Sequence, residues 1–139
     1  MRTSGIRMLR AVEVPEVGGD NLFADMYAAY EGLPSSIKRA VDGMEAVHSV
    51  TNGLSLTQGA EKMQAMLERY PAQTHPVVRT HPETGHKTIY VNRAHTSHLK
   101  GIRRDIGAQL LEILYNQANT PEYQCRFRWR KNSIAFWDN

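Results

Sequence analysis

The chain closes on two aromatic runs, Pro121-Glu122-Tyr123-Gln124-Cys125-Arg126-Phe127-Arg128-Trp129-Arg130 and Ser133-Ile134-Ala135-Phe136-Trp137-Asp138-Asn139. In the first, Arg126, Arg128 and Arg130 alternate with Cys125, Phe127 and Trp129. That is the period of a strand with one solvated face and one apolar face. In the second, Phe136 and Trp137 occupy positions where chains usually thin into polar, mobile residues. Aromatic strands at a terminus need sheet partners. The expectation is that Phe136 and Trp137 are buried and that a domain has been cut through its sheet.

The rest of the chain alternates between strand-like and helix-like spacing. Ile6 to Val14 reads as a strand stopped by Pro15 and the Gly18-Gly19-Asp20 turn. Leu22, Phe23, Met26, Tyr27 and Tyr30 have helical spacing that ends near Gly32-Leu33-Pro34. Ser35 or Ser36 is placed to cap a short helix carrying Ile37, Ala40 and Val41. Met44 to Val50 reads as a strand, Asn52-Gly53 as a turn, and Thr57 to Tyr70 as a helix on Met63, Met66 and Leu67. Residues 77–80 and 88–91 flank Pro82-Glu83-Thr84-Gly85, a hairpin signal. Ile106, Leu110, Ile113, Leu114 and Gln117 define the longest amphipathic helix, closed by Asn119-Thr120-Pro121. Strands follow one another too closely for repeated βαβ crossovers, so the pattern is α+β with an antiparallel sheet.

Composition narrows the function classes. At 139 residues and 41% apolar content, one globular domain over 1–139 is expected. No apolar run approaches the roughly 20 residues needed to span a bilayer, so no membrane partner is expected. The single Cys125 cannot form an internal disulfide, which favours a reducing cytoplasm. A net charge of +3 tolerates an anionic ligand without implying nucleic acid. Arginine interleaved with aromatics can bind single strands, but a solvated strand face accounts better for Arg126, Arg128 and Arg130.

Neither a phosphate-cradling glycine loop, a cysteine cluster nor a nucleophile elbow is present. Six histidines are the remaining candidates. His95 and His98 share a face only if that stretch is helical; His81 and His86 bracket the hairpin turn; His48 lies in a strand and His75 precedes Pro76. On spacing alone each reads as a surface or hydrogen-bonded histidine rather than a metal ligand. Composition and spacing leave the function open.

Motif wording goes further. Val14-Pro15-Glu16-Val17-Gly18-Gly19-Asp20-Asn21-Leu22-Phe23-Ala24 is followed by Met26-Tyr27-Ala28-Ala29-Tyr30-Glu31. Then come His75-Pro76-Val77-Val78-Arg79-Thr80-His81-Pro82 with Thr84-Gly85, Tyr90-Val91-Asn92, and the run from Pro121 to Asn139. These ordered blocks resemble the TauD/TfdA family of Fe(II)- and 2-oxoglutarate-dependent dioxygenases. The resemblance implies a partial double-stranded β-helix, a jelly-roll variant of clavaminate synthase type. It would carry helical insertions and be truncated at both ends, so that 1–139 is a single incomplete domain.

The resemblance also implies the chemistry. In the complete family enzyme 2-oxoglutarate is decarboxylated as oxygen is activated on iron, and a small organic substrate is hydroxylated. Iron sits on two histidines and one carboxylate. In the family an His-x-Asp pair precedes the segment matching Met1 to Leu9. The second His follows the Trp137-Asp138-Asn139 motif, and an arginine for 2-oxoglutarate lies beyond it. The chain is therefore expected to hold no catalytic residue and no metal ligand. Neither Fe(II) nor 2-oxoglutarate is expected to be bound as a cofactor by the chain alone. Asn21 stands where the family places a threonine that bonds a 2-oxoglutarate carboxylate. His95 and Leu54 stand at substrate-lining positions. Asp20 is expected to support its turn and Trp137 to pack in the core. An alternative is a non-catalytic binding or oligomerisation module, with homo-oligomers formed through exposed sheet edges.

Overall fold

A computed structural model describes residues 5–50 and 60–138. They fall into two compact units: Ala24–Gln124, and the two terminal stretches that end at Phe23 and begin at Cys125.

The Ala24–Gln124 unit is organised around a contiguous apolar core. Helix α1, Met26–Glu31, starts where Asp25 caps it, its carboxylate accepting from the amides of Tyr27 at 2.9 Å and Ala28 at 3.0 Å. That cap satisfies amides with no intrahelical partner, so the helix begins later than the apolar spacing from Leu22 predicts. Its inward face buries Ala29 and Tyr30. Helix α2, Ser35–Val41, follows Pro34; no side chain caps it, and Ser35 and Ser36 are its first residues rather than its cap.

Strand β3, Glu45–His48, is central in a three-stranded antiparallel sheet. On one side lies β4, Gln73–Pro76, with Ala46 opposite His75; on the other lies β7, Thr96–Leu99, with Ala46 opposite Leu99. The register shifts between Val47 and His48 on the β7 side. The expected hairpin forms from β5, Val78–Thr80, and β6, Lys87–Ile89. Helix α3, Ala60–Arg69, has Met63, Met66 and Leu67 half-buried, as their spacing predicts. The Asn52-Gly53 turn lies outside the described residues.

Helix α4, Arg104–Ala118, packs against β7 and α1 and buries Leu111 and Leu114. It ends at Asn119, and a 3-10 turn, Pro121–Tyr123, follows. Gly32 closes α1 against this turn. A Cβ there would collide with Tyr123 Oη and stand 2.9 Å from Gln117 Nε2, so a larger residue requires these side chains to shift. Val41, Ala46, Val77, Ile89, Val91 and Leu99 complete the core.

The terminal unit consists of paired ribbons. Strand β1, Arg7–Arg10, pairs antiparallel with β9, Ile134–Trp137, setting Met8 opposite Phe136. Strand β2, Asn21–Ala24, pairs with β8, Gln124–Phe127. Three expectations are corrected here. Leu22 and Phe23 are strand, not helix, because their segment pairs with β8 ahead of the Asp25 cap. The arginine-aromatic strand ends at Phe127 rather than continuing to Arg130. Phe136 is 65% exposed, since pairing with β1 satisfies its backbone and leaves its ring uncovered. Trp137 is half-buried against Phe23, with ring centroids 5.2 Å apart.

Candidate functional site

Two clusters of polar and aromatic groups stand out, one in each unit. In the terminal unit, Gly18 and Gly19 adopt φ of +82° and +78°, left-handed values that glycine takes without steric cost. They turn the chain into β2. Asp20 follows, its side chain 26% exposed, with Oδ2 at 3.3 Å from Arg126 Nη1 and 3.8 Å from Arg128 Nε. The expected turn support is thus an ion pair across the ribbon, and two of the three arginines of the first aromatic run are drawn to it.

Strand alternation sends Asn21 to the other face. Its Oδ1 accepts from Trp129 Nε1 at 2.8 Å. Trp129 stacks edge-on against Phe127 at 4.8 Å between ring centroids, and Phe23 meets Trp137. The ribbon therefore has an ionic face, Asp20 with Arg126 and Arg128, and an aromatic face on which the Asn21 carboxamide is the polar group.

The second cluster lies in the Ala24–Gln124 unit. His48 of β3, His75 of β4 and Tyr90 form a three-ring group, with centroids 5.3 Å apart for the two histidines, 5.8 Å for His48–Tyr90 and 5.5 Å for His75–Tyr90. The Arg79 guanidinium covers the Tyr90 ring at 5.4 Å. His48 Nε2 is buried without a hydrogen-bond partner. Burial, and then the neighbouring His75 and His95, lower the His48 pKa, because a cation there would be both desolvated and repelled. Spacing gave no hint of this group: antiparallel pairing brings His75 beside β3 although helix α3 separates the two strands in sequence, and Pro76 hid the strand that carries it.

His95 is exposed and fixed by a tight turn. Its amide donates to Asn92 Oδ1 at 2.9 Å, Thr96 Oγ1 accepts from the Asn92 amide at 3.0 Å, and the His95 carbonyl accepts from the Ser49 amide at 2.8 Å. The His95–His98 stretch runs into strand β7, so the helical pairing of these two imidazoles does not occur. His98 Nδ1 instead lies 3.2 Å from Ser97 Oγ, and burial followed by Arg104 lowers its pKa. His81 serves the hairpin turn: its Nδ1 accepts from the amides of Glu83 and Thr84, and Tyr27 packs edge-on against both His81 and His86. Leu54 lies outside the described residues.

Among the described residues, no three His, Cys, Asp or Glu side chains stand together in a way that could hold a metal ion. They therefore offer iron no ligand set. A carboxylate is different: a carboxamide carries two N–H donors, which suit such a group at Asn21. Among the described residues, no helix is long and apolar enough to cross a membrane.

Known proteins place these features in a family. The profile of the family described as taurine catabolism dioxygenase TauD, TfdA matches residues 2–139. The chain is 36% identical over 132 residues to an alpha-ketoglutarate-dependent 2,4-dichlorophenoxyacetate dioxygenase of Cupriavidus pinatubonensis, covering 95% of this chain and 46% of that one. It is 32% identical over 130 residues to an alpha-ketoglutarate-dependent sulfonate dioxygenase of Saccharomyces cerevisiae, covering 92% of this chain and 31% of the relative. The crystal structure of AAD-2 in complex with Mn(II) and N-oxalylglycine superposes with a TM-score of 0.86 at 26% identity, over 96% of this chain and 52% of that one. The chain thus spans about half or less of the length of these relatives. The mixture of helices and antiparallel strands is accordingly part of a jelly roll of that type. By the match along nearly its whole length, the chain belongs to the TauD/TfdA family of alpha-ketoglutarate-dependent dioxygenases.

Proposed function

We propose that the chain is one incomplete domain, 1–139, of an Fe(II)- and 2-oxoglutarate-dependent dioxygenase that hydroxylates a small organic acid. The observation that carries this reading is the family match over residues 2–139, with Asn21 following the Gly18-Gly19-Asp20 turn. Asn21 donates an amide N–H to a terminal carboxylate of 2-oxoglutarate. N-oxalylglycine, present in the AAD-2 crystal structure, carries the same pair of terminal carboxylates. When bound in the complete enzyme, Fe(II) and 2-oxoglutarate supply the oxidising chemistry. His95 and Leu54 take the family's substrate-lining positions. The relatives' names include a sulfonate and an aryloxyacetate, both anions, which suits an exposed imidazole backed by the His48, His75 and Tyr90 rings.

Alone, the chain is inactive and does not hold Fe(II) with 2-oxoglutarate in the family's chelate; among its described residues no three metal-ligating side chains stand together. A reducing cytoplasm suits the exposed, unpaired Cys125. The Asp20 pairing of Arg126 and Arg128 gives no reason to invoke nucleic acid. Incubating the chain with Fe(II), ascorbate, 2-oxoglutarate and either a sulfonate or an aryloxyacetate should yield no succinate above the protein-free control. Stoichiometric succinate in excess of that control would refute inactivity.

One observation favours a second reading, a non-catalytic module that associates with its own copies. Met8 and Phe136 are opposite each other on the β1–β9 ribbon, 70% and 65% exposed, an uncovered apolar pair. Light scattering coupled to sizing separates the readings: a discrete dimer lost on Phe136→Ser supports the module, and a monomer removes it.

A further inference from the structure

We propose that Trp129 is a positioning residue that holds the Asn21 carboxamide with its two N–H donors presented to a carboxylate. The inference rests on the reading of Asn21 as the cosubstrate contact and adds the group that makes this contact directional.

An asparagine side chain has an oxygen that only accepts and a nitrogen that only donates, and rotation about its last bond exchanges them. An indole N–H can only donate. The contact of Trp129 Nε1 at 2.8 Å must therefore be to Oδ1, and it places Nδ2 on the opposite side of the amide. The indole is itself held: Trp129 is half-buried and edge-on to Phe127, whose strand pairs with the one carrying Asn21.

A carboxamide left to rotate would offer an incoming anion its oxygen as readily as its N–H groups. Threonine in the same position needs no such help, because its hydroxyl can donate or accept. The longer amide does, and the indole supplies the orientation. The nearby negative charge does not oppose an anion either. Asp20 is turned to the opposite face and is paired with Arg126 and Arg128.

The test is nitrogen-15 NMR of the intact chain, read first without ligand. The Trp129 indole N–H should exchange slowly with solvent. Asn21→Ala should speed its exchange by about fivefold or more, the loss of one neutral hydrogen bond. Asn21→Asp should leave the indole protected, since a carboxylate oxygen still accepts. Trp129→Phe, which keeps a ring against Phe127, should move the Asn21 side-chain amide signals to those of a solvated asparagine. Indole exchange unchanged in Asn21→Ala overturns the positioning role, and this readout survives even if Trp129→Phe fails to fold.

Titration with 2-oxoglutarate then separates the two layers. The positioning role predicts a selective shift of the Asn21 N–H pair at millimolar ligand, weakened about fivefold in Trp129→Phe and absent in Asn21→Asp. An equal response in wild type and Trp129→Phe overturns the positioning role and leaves the cosubstrate contact standing. No response at Asn21, with the indole protected as described, defeats the cosubstrate contact and with it the purpose assigned to the orientation.

Discussion

The Ala24–Gln124 unit and the terminal unit are built on different principles. In the first, α1, α4, the three-stranded sheet and the hairpin enclose a single apolar cluster that includes Val41, Val77, Leu99 and Leu114. In the second, Ala135 is the buried hydrophobic residue among those described, while Ile6, Met8, Leu22, Ile134 and Phe136 are each more than half exposed. Its order comes from strand pairing and polar ties: Asp20 to Arg126, Asn21 to Trp129, and Arg10 Nη2 to Asn132 Oδ1 at 2.7 Å. Burial of apolar area is the dominant favourable term in folding, and individual polar ties contribute little net. Stability should therefore reside in the Ala24–Gln124 unit, while the groups suited to a cosubstrate carboxylate sit in the less stable one. Native-state hydrogen exchange should find the slowest amides in α4 and β3 and faster opening of β1 and β9.

Substitutions can break or sharpen that contrast. The largest effect is expected for Leu114→Ala, which empties a site that is 1% exposed. Denaturant unfolding should show a loss of about 2–5 kcal/mol. Met8→Ala in the terminal unit, by contrast, should change stability by less than about 0.5 kcal/mol. An equal loss at both positions would erase the distinction. Next comes Gly32→Ala, whose Cβ would collide with Tyr123 Oη and push the Tyr123 side chain out of its packing against α1. The expected cost is about 1–3 kcal/mol, read in the same unfolding curves.

Asp25→Ala, which removes the α1 cap, should cost about 1 kcal/mol, and Asp25→Asn should restore much of it. The smallest effect at neutral pH belongs to His48. Its folded-state pKa lies below the unfolded value, so the unfolded chain binds the proton more readily. The contribution of neutral His48 is fully present above pH 6.5, the ordinary imidazole value, and is lost as pH falls through 6.5 toward the folded pKa. His98, also lowered, adds a loss of the same sign. His48→Phe should flatten the stability profile below that pH while keeping the ring packing; an unchanged profile would show that His48 does not contribute.

Much of the Ala24–Gln124 unit was legible because its elements obey local rules. The α4 apolar stripe and the Pro82-Glu83-Thr84-Gly85 turn signal required no knowledge of distant residues. Strands β2, β4 and β7 were not legible. Leu22 and Phe23 share helical spacing with Met26 but are held extended by a strand a hundred residues away. Pro76 sits at the end of β4, opposite Glu45, where a strand can accommodate it.

The candidate site divides the same way. Gly18-Gly19-Asp20-Asn21 could be read from its wording, whereas the partners of Asp20 and Asn21 depend on the β2–β8 pairing. The histidine cluster depends on the β3–β4 register in turn. Phe136 misled because aromatic content predicts a surface in need of a partner, not whether that surface is covered within the chain.

The most direct test of the account is an anaerobic titration of the chain with Fe(II) and 2-oxoglutarate, followed by its visible absorption. The account predicts that no metal-to-ligand charge-transfer band of the iron–2-oxoglutarate chelate develops, because the described residues bring no three metal-ligating side chains together. A saturable band at one equivalent of iron would contradict it.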